Sequence, residues 1–378
     1  MKTRQFCLLL AGTIFFLLVT EFGFAAGGQF SPAVNYSVAR YPMAVAAGDF
    51  NGDGILDLAV ASAGNGSKSV TVLIGKGDGT FQPGVNYNAG GAATYLAVAD
   101  LNGDGKLDLA MTNSTKQAVS VLLGKGDGTF LAPLIYSAGP SPVQVAVADL
   151  NLDGKLDLAV ANSNGGGLLH GSVSVLLGNG DGTFQSAIKY PAGKRPDSVA
   201  VGDFNNDGLL DIVVGNLGDS TVSVLLGNGD GTFGSALRTP VGSDPEFVGV
   251  GDFNADGKLD IVVSIYSSGK VAVSLGNGDG TFQAAVKYAV MGGPAGIAIA
   301  DFNRDGILDL AVANSGNIVT LLPGKADGTF GTPSNYKTNA LYGYGVASAD
   351  LNGDGFADLV VTNPSNSDTV SVLLNTGQ

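Results

Sequence analysis

What the 378-residue chain lacks bounds it first. It has no tryptophan, one cysteine (Cys7) and one histidine (His170). Cys7 lies in an N-terminal apolar run. Without that run no thiol remains, so disulfides and thiol chemistry are excluded, and one His cannot build a soft-metal centre. Charged residues make up only 14%, and acids outnumber bases 33 to 19 for a net charge of -14. Nucleic-acid phosphates and anionic membranes repel such a chain. No nucleophile motif and no phosphate-binding loop occurs. The apolar run, residues 6–19, is about 14 residues long, short of the ~20 that span a bilayer. Lys2 and Arg4 precede it, and Gly23-Phe24-Ala25-Ala26 follows it. Residues 1–26 therefore read as a cleavable signal peptide rather than a retained anchor. The expectation is a protein of residues 27–378, secreted or at the cell surface, not inserted in the membrane after cleavage.

What is present is repetition. Glycine is abundant at 59 residues, helix formers are scarce, and β-branched residues fall in short alternating runs, which points to an all-β chain. The pattern Asp-x-Asn-x-Asp-Gly-x-x-Asp starts at Asp49, Asp100, Asp149, Asp203, Asp252, Asp301 and Asp350, at steps of 51, 49, 54, 49, 49 and 49 residues. A Gly-Asp-Gly-Thr-Phe turn or close variant follows the first six, ending at Phe81, Phe130, Phe184, Phe233, Phe282 and Phe330. The first unit reads as four strands near residues 43–48, 56–62, 69–74 and 80–87. Four strands in about 49 residues match one propeller blade. First strands are built of small residues, as in Ala44-Val45-Ala46-Ala47, which suits crowding around a central axis. The seventh unit stops after its third strand. The segment Gly28-Gln29-Phe30 to Tyr36 matches Gly79-Thr80-Phe81 to Tyr87 and supplies the missing strand. The expected fold is a single domain, a seven-bladed β-propeller closed by its N-terminal strand.

The acidic loops carry the chemistry. Positions 1, 3, 5 and 9 of the first are Asp49, Asn51, Asp53 and Asp57, with the carbonyl of Ile55 at position 7. The second offers Asp100, Asn102, Asp104, Asp108 and Lys106; the third Asp149, Asn151, Asp153, Asp157 and Lys155. The fourth offers Asp203, Asn205, Asp207, Asp211 and Leu209; the fifth Asp252, Asn254, Asp256, Asp260 and Lys258. The sixth offers Asp301, Asn303, Asp305, Asp309 and Ile307; the seventh Asp350, Asn352, Asp354, Asp358 and Phe356. Alternate positions of a tight loop point inward together, and an all-oxygen set suits Ca²⁺, with Mg²⁺ a poorer fit. A metal-free Asx/Gly turn is the plain alternative. It does not need three carboxylates, which repel and raise each other's pKa. Positions 4 and 7 vary among the units while 1, 3, 5, 6 and 9 do not. Residues 1–26 carry Lys2, Arg4 and Glu21, a net +1, so the remainder is -15; seven Ca²⁺ would bring it to -1. The Gly-Asp-Gly-Thr-Phe turns hold one carboxylate each and read as hairpins with Phe packed between blades.

The stretch Ala47-Gly48-Asp49-Phe50-Asn51-Gly52-Asp53-Gly54-Ile55-Leu56-Asp57-Leu58-Ala59-Val60, with its six counterparts, resembles the FG-GAP/VCBS repeat family, which includes the integrin α propeller. The resemblance implies calcium, about seven ions, in the loop between first and second strands of each blade. The Phe-Gly…Gly-Ala-Pro core of integrins is weak here, so the chain is more similar to bacterial secreted members. Family members serve in adhesion, in sugar binding, or as modules of enzymes.

Function reads first as a non-enzymatic binding or adhesion module. The loops entering the blades carry Arg40 and Tyr41, Tyr95, Lys194 and Arg195, Glu246 and Phe247, Tyr342 and Tyr344. They surround the mouth opposite the calcium loops, where a protein or glycan partner would bind. A lectin is the alternative, with Tyr36, Tyr87, Tyr136, Tyr190, Tyr288 and Tyr336 as platforms, although repeated aromatics also serve inter-blade packing. A polysaccharide lyase or hydrolase needs a cluster that breaks the symmetry. The one large irregularity, residues 162–171, offers only His170 without a partner.

Overall fold

The structure is a computed structural model describing residues 29–64, 68–163, 170–338, 343–365 and 367–377. The signal-peptide expectation, Tyr342 and most of the 162–171 insertion lie outside these residues; His170 opens the third strand of the third blade. The described residues form 28 strands in seven four-stranded antiparallel sheets, numbered in chain order. Blade 1 runs β2 (Pro42–Gly48), β3 (Asp57–Ser62), β4 (Lys68–Leu73) and β5 (Val85–Asn88) in that spatial order. Blades 2–6 repeat it, opened by inner strands β6 (Ala93–Ala99), β10 (Pro142–Ala148), β14 (Pro196–Gly202), β18 (Pro245–Gly251) and β22 (Pro294–Ala300). Blade 7 joins β26 (Val346–Ala349), β27 (Asp358–Asn363) and β28 (Thr369–Leu373) to β1 (Val34–Ser37), pairing Val34 with Val372 and Tyr36 with Val370. The N-terminal strand thus closes the ring. Among the described residues no helix is long and apolar enough to cross a membrane.

The outer strand is shorter than residues 80–87. Phe81 makes a single bridge to Gly75, and the ladder resumes only at Val85. The same three-residue gap follows Phe233, with no proline in it, so it belongs to the repeat rather than to Pro83.

The core lies in the seams. All seven second strands are buried along their whole length. A strand covered on both faces loses polar alternation and becomes a Val/Ile/Leu/Ala run. Phe50 and Val72 of blade 1 pack with Leu109, Met111 and Phe130 of blade 2. The last seam sets Val45, Leu58 and Val60 against Val360, Val370 and Val372, so blade 7 seals onto blade 1. Burying each such side chain is worth about 1.5–3 kcal/mol.

Candidate functional site

Each acidic loop joins the first strand of a blade to its second. In blade 1, Asp49 Oδ1 accepts the N–H groups of Gly52 (2.7 Å) and Asp53 (3.2 Å), and its Oδ2 accepts that of Gly54 (2.8 Å). Asn51 Oδ1 accepts from Asp53 N at 2.9 Å, and Asp53 Oδ1 from Ile55 N at 2.8 Å. Short Asx side chains thereby replace the backbone partners the loop lacks. Position 4 varies in side chain but not in backbone: Gly52, Gly103, Leu152, Asn206, Ala255, Arg304 and Gly353 all have φ between 55 and 77°.

Position 9 is a different kind of aspartate. Asp57 is fully buried; its Oδ2 accepts from Phe50 N (3.0 Å) and its Oδ1 from Gly75 N (2.8 Å). Every blade repeats the pair. Asp260 holds Phe253 N at 2.8 Å and Gly276 N at 2.7 Å, and Asp358 holds Leu351 N and Asn375 N at 2.9 and 2.7 Å. One carboxylate therefore fixes the start of the loop to the turn after the third strand. Burial pushes these carboxyls up despite two donors each, and the aspartates at positions 5 and 1 add to it; Asp108 and Asp358 reach about 6.

Among the described residues, no group of three or more acidic, His or Cys side chains converges as a finished metal cluster. By chemistry the residues do fit a hard divalent cation. All donors are oxygens, and an ionised carboxylate has about four acceptor sites, of which Asp53 and Asp57 use only two each. Three carboxylates share each corner, with a lysine bridging to position 5 in only two: Lys106 to Asp104 at 3.3 Å and Lys155 to Asp153 at 3.7 Å.

The Gly-Asp-Gly-Thr-Phe turns do more than reverse the chain. Asp78 Oδ1 accepts from Thr80 N (2.9 Å) and Thr80 Oγ1 (2.6 Å), which holds its carboxyl below the usual range. The second glycine then latches onto the preceding blade. Gly128 N donates to Phe50 O at 2.9 Å, Gly182 N to Leu101 O at 3.2 Å and Gly280 N to Phe204 O at 2.9 Å. Gly128 has φ 78°, a left-handed backbone that strains any side chain, and a Cβ there would also come within 2.9 Å of the Ile74 side chain. In the seam between blades 6 and 7, Phe302 O accepts instead from the side chains of Asn375 (2.8 Å) and Gln29. In the sixth loop, Arg304 donates to the carbonyls of Asp354 (3.0 Å) and Gly355 (3.1 Å) in the seventh and stacks 3.7 Å from the Phe356 ring. The recurring tyrosines pack edge-on against the next blade's turn phenylalanine: Tyr36–Phe81 at 5.3 Å, Tyr87–Phe130 at 5.5 Å, Tyr190–Phe233 at 5.4 Å. Tyr87 Oη also donates to Gly128 O at 3.1 Å.

The FG-GAP-like repeat model matches residues 49–111, 100–160, 153–214, 203–263, 252–312 and 301–361. This chain belongs to the FG-GAP-like repeat family. Among solved structures, BBS1N in complex with ARL6DN is similar in two crystals, one soaked with lead and one with mercury, at TM-scores of 0.63 and 0.65. Each is 12% identical, over 92% of this chain and 97% of that one, which is a likeness of fold. No curated protein matches the chain.

At the opposite end of this FG-GAP-like propeller the inner strands begin with a register shift: between Pro42 and Ala44, Ala93 and Tyr95, Pro142 and Gln144, Pro196 and Ser198, Pro245 and Phe247, Pro294 and Ile297. A bulge re-aims the side chain it contains. The residues concerned stand six before the first loop aspartate: Met43, Thr94, Val143, Asp197, Glu246 and Ala295, with Tyr344 in the seventh unit. All seven line one axial cavity of about 610 Å³. Of the mouth residues read from sequence, Tyr95, Glu246, Phe247 and Tyr344 line this cavity; Arg40, Tyr41, Lys194 and Arg195 do not. Asp197 and Gln144 are additions. Gln144 Oε1 accepts from Val199 N at 3.1 Å, and the amide hydrogen-bonds Tyr95. Burial lifts Asp197 to about 6 against the pull of Arg195; burial, then Asp197 and Asp244, lift Glu246 to about 7. A signal was present: Glu246 is the single glutamate after Glu21.

Proposed function

We propose that this FG-GAP-like propeller is a secreted, calcium-braced, non-enzymatic binding module whose ligand face is the axial mouth opposite the acidic loops. One observation carries the calcium reading: each of the seven loops holds three aspartates and an asparagine, all oxygen donors, and a lysine pairs with a loop carboxylate in two of them. Asp, Asn and Asp at positions 1, 3 and 5, the position-7 carbonyl and the position-9 Asp would hold the ion. Its contribution is charge neutralisation and cross-linking, not a reaction. An ion that binds only the folded corner stabilises the fold by mass action. The N-terminal run of residues 6–19 and the absence of any later cysteine support secretion.

The carbohydrate alternative is weakened because the recurring tyrosines are engaged in the seams. Thermal unfolding in calcium and in EDTA tests the main reading. Chelation should lower Tm by about 10 °C or more, and added Ca²⁺ should restore it. An unchanged melt would refute calcium bracing. Turnover of a polysaccharide by the purified protein would overturn the non-enzymatic assignment.

A further inference from the structure

We propose that the axial mouth binds a small protonated primary amine with an apolar or aromatic body, gripped by Glu246 and Asp197; this rests on reading the mouth as the ligand face. Six bulge positions and their counterpart in the seventh unit, Tyr344, line the cavity, and five of these seven carry uncharged side chains. The other two are acids, on adjacent blades. Outside the loops and turns the repeats contain only five carboxylates: Asp197, Asp219, Asp244, Glu246 and Asp368. Asp219 pairs with Arg238 at 3.7 Å, and Asp368 accepts from Tyr41 N at 3.0 Å. Of the remaining three, Asp197 and Glu246 line the cavity, and Asp244 lies near enough to act on Glu246.

Glu246 Oε2 is buried and has no hydrogen-bond partner among the described residues. A buried carboxylate oxygen without a donor is costly to fold. A partner that both donates and carries positive charge answers the lone oxygen and the negative charge of Asp197 and Asp244 beside it together. An ammonium offers three donors and one charge. A bare hard metal ion needs six to eight oxygens, and walls built from Val45, Leu96 and Ile297 cannot supply them. Those walls suit the apolar body of an organic ligand, and Tyr95, Phe247 and Tyr344 add aromatic surface near the charge. The volume falls within the range of small-molecule pockets, about 300–1,000 Å³. Gln144 ties Tyr95 to the backbone of Val199, so the rim is braced across three blades before a ligand arrives.

Binding should couple to protons. The ionisable groups facing Glu246 are Asp197, Asp244 and Tyr344, with Arg195 beside Asp197. A bound ammonium favours the ionised carboxylates. Affinity therefore holds above about pH 7 and weakens as Glu246 and then Asp197 take up protons below it.

The test is calorimetric titration of the purified protein in calcium buffer with phenethylamine, at about pH 8 and about pH 5. Two relatives serve as controls: 2-phenylethanol, which lacks the charge, and trimethyl(2-phenylethyl)ammonium, which lacks the N–H donors. The expected result is one site, at least about tenfold tighter for the amine than for either control and at least about tenfold weaker at the lower pH. Glu246→Gln and Asp197→Asn should each weaken it about tenfold or more without lowering Tm. No heat up to about 10 mM amine, equal binding of a control, or undiminished binding by folded Glu246→Gln would overturn the proposal. A protein that ignores the amine yet loses stability in EDTA would sink this inference alone and leave the calcium reading standing.

Discussion

The two ends of each inner strand obey opposite rules. At its far end stand Asp, Asn, Asp, Gly and Asp, unchanged in all seven blades; at its near end stand Met43, Thr94, Val143, Asp197, Glu246, Ala295 and Tyr344, no two alike. The two sets flank the same inner strands and share the same seams, so position in the fold does not explain the difference. Sameness is what a structural brace requires, since each corner supports its own blade. Divergence is what recognition requires, since one asymmetric ligand meets seven walls at once. Acids at the corners should therefore stabilise the ring, whereas acids at the mouth should cost it stability.

The largest effect should come from the corners. Asp260→Ala leaves the N–H groups of Phe253 and Gly276 buried without an acceptor, at a cost of about 3–5 kcal/mol. Denaturant unfolding in EDTA isolates this cost from metal. Asp256→Ala, which removes an exposed loop carboxylate, should cost under about 1 kcal/mol in EDTA and should reduce the stabilisation by calcium. If Asp260→Ala is harmless in EDTA, position 9 is a ligand only and its role as a backbone anchor is wrong.

That split was not legible in the sequence. Repetition exposed the seven corners, the blade count and the closing strand, because Gly28 to Tyr36 aligns with Gly79 to Tyr87 and is identical at six of nine positions. Spacing cannot reveal that Asp57 spends an oxygen on Gly75, 18 residues away, nor that Gly128 caps a carbonyl of the neighbouring blade. Both depend on how blades meet. The mouth lay between these cases. Tyr95, Glu246, Phe247 and Tyr344 were visible as loop residues that vary, but the bulge that turns one residue toward the axis in six of the blades is a register feature. Aligning the units six residues before each loop would have isolated Asp197 and Glu246, the only acids in that column.

An intermediate effect of opposite sign is expected at the mouth. Glu246 is lifted from 4.5 to about 7 in the folded protein. A raised carboxyl contributes stability that is full below its unfolded value and is lost as pH rises through the folded one. Glu246→Gln removes that loss. Unliganded Glu246→Gln should therefore match the parent near pH 4.5 and become more stable by about 1–2 kcal/mol above pH 7, allowing for solvent screening at the cavity mouth. Denaturation midpoints across this range measure the gap. A gap that stays flat, or one that favours the parent at high pH, would mean that Glu246 has a compensating partner and that the mouth is not a cost.

The smallest effect tests the uniformity of the corners themselves. Position 4 is left-handed in all seven, yet Ala255 holds φ 55° where Gly103 holds 71°. A Cβ there costs about 1–2 kcal/mol of strain, partly offset by the greater freedom of glycine in the unfolded chain. Ala255→Gly should thus stabilise by about 0.5 kcal/mol and Gly103→Ala should destabilise by about 1 kcal/mol, with the calcium response unchanged in both. Arg304 separates backbone from side chain. Arg304→Gly relieves the same strain but removes two hydrogen bonds to the carbonyls of the seventh loop, so it should be neutral or destabilising. If all three positions responded alike, drift at position 4 would be mere tolerance; a distinct response at Arg304 would show that one corner has been recruited to lock the blade that closes the ring.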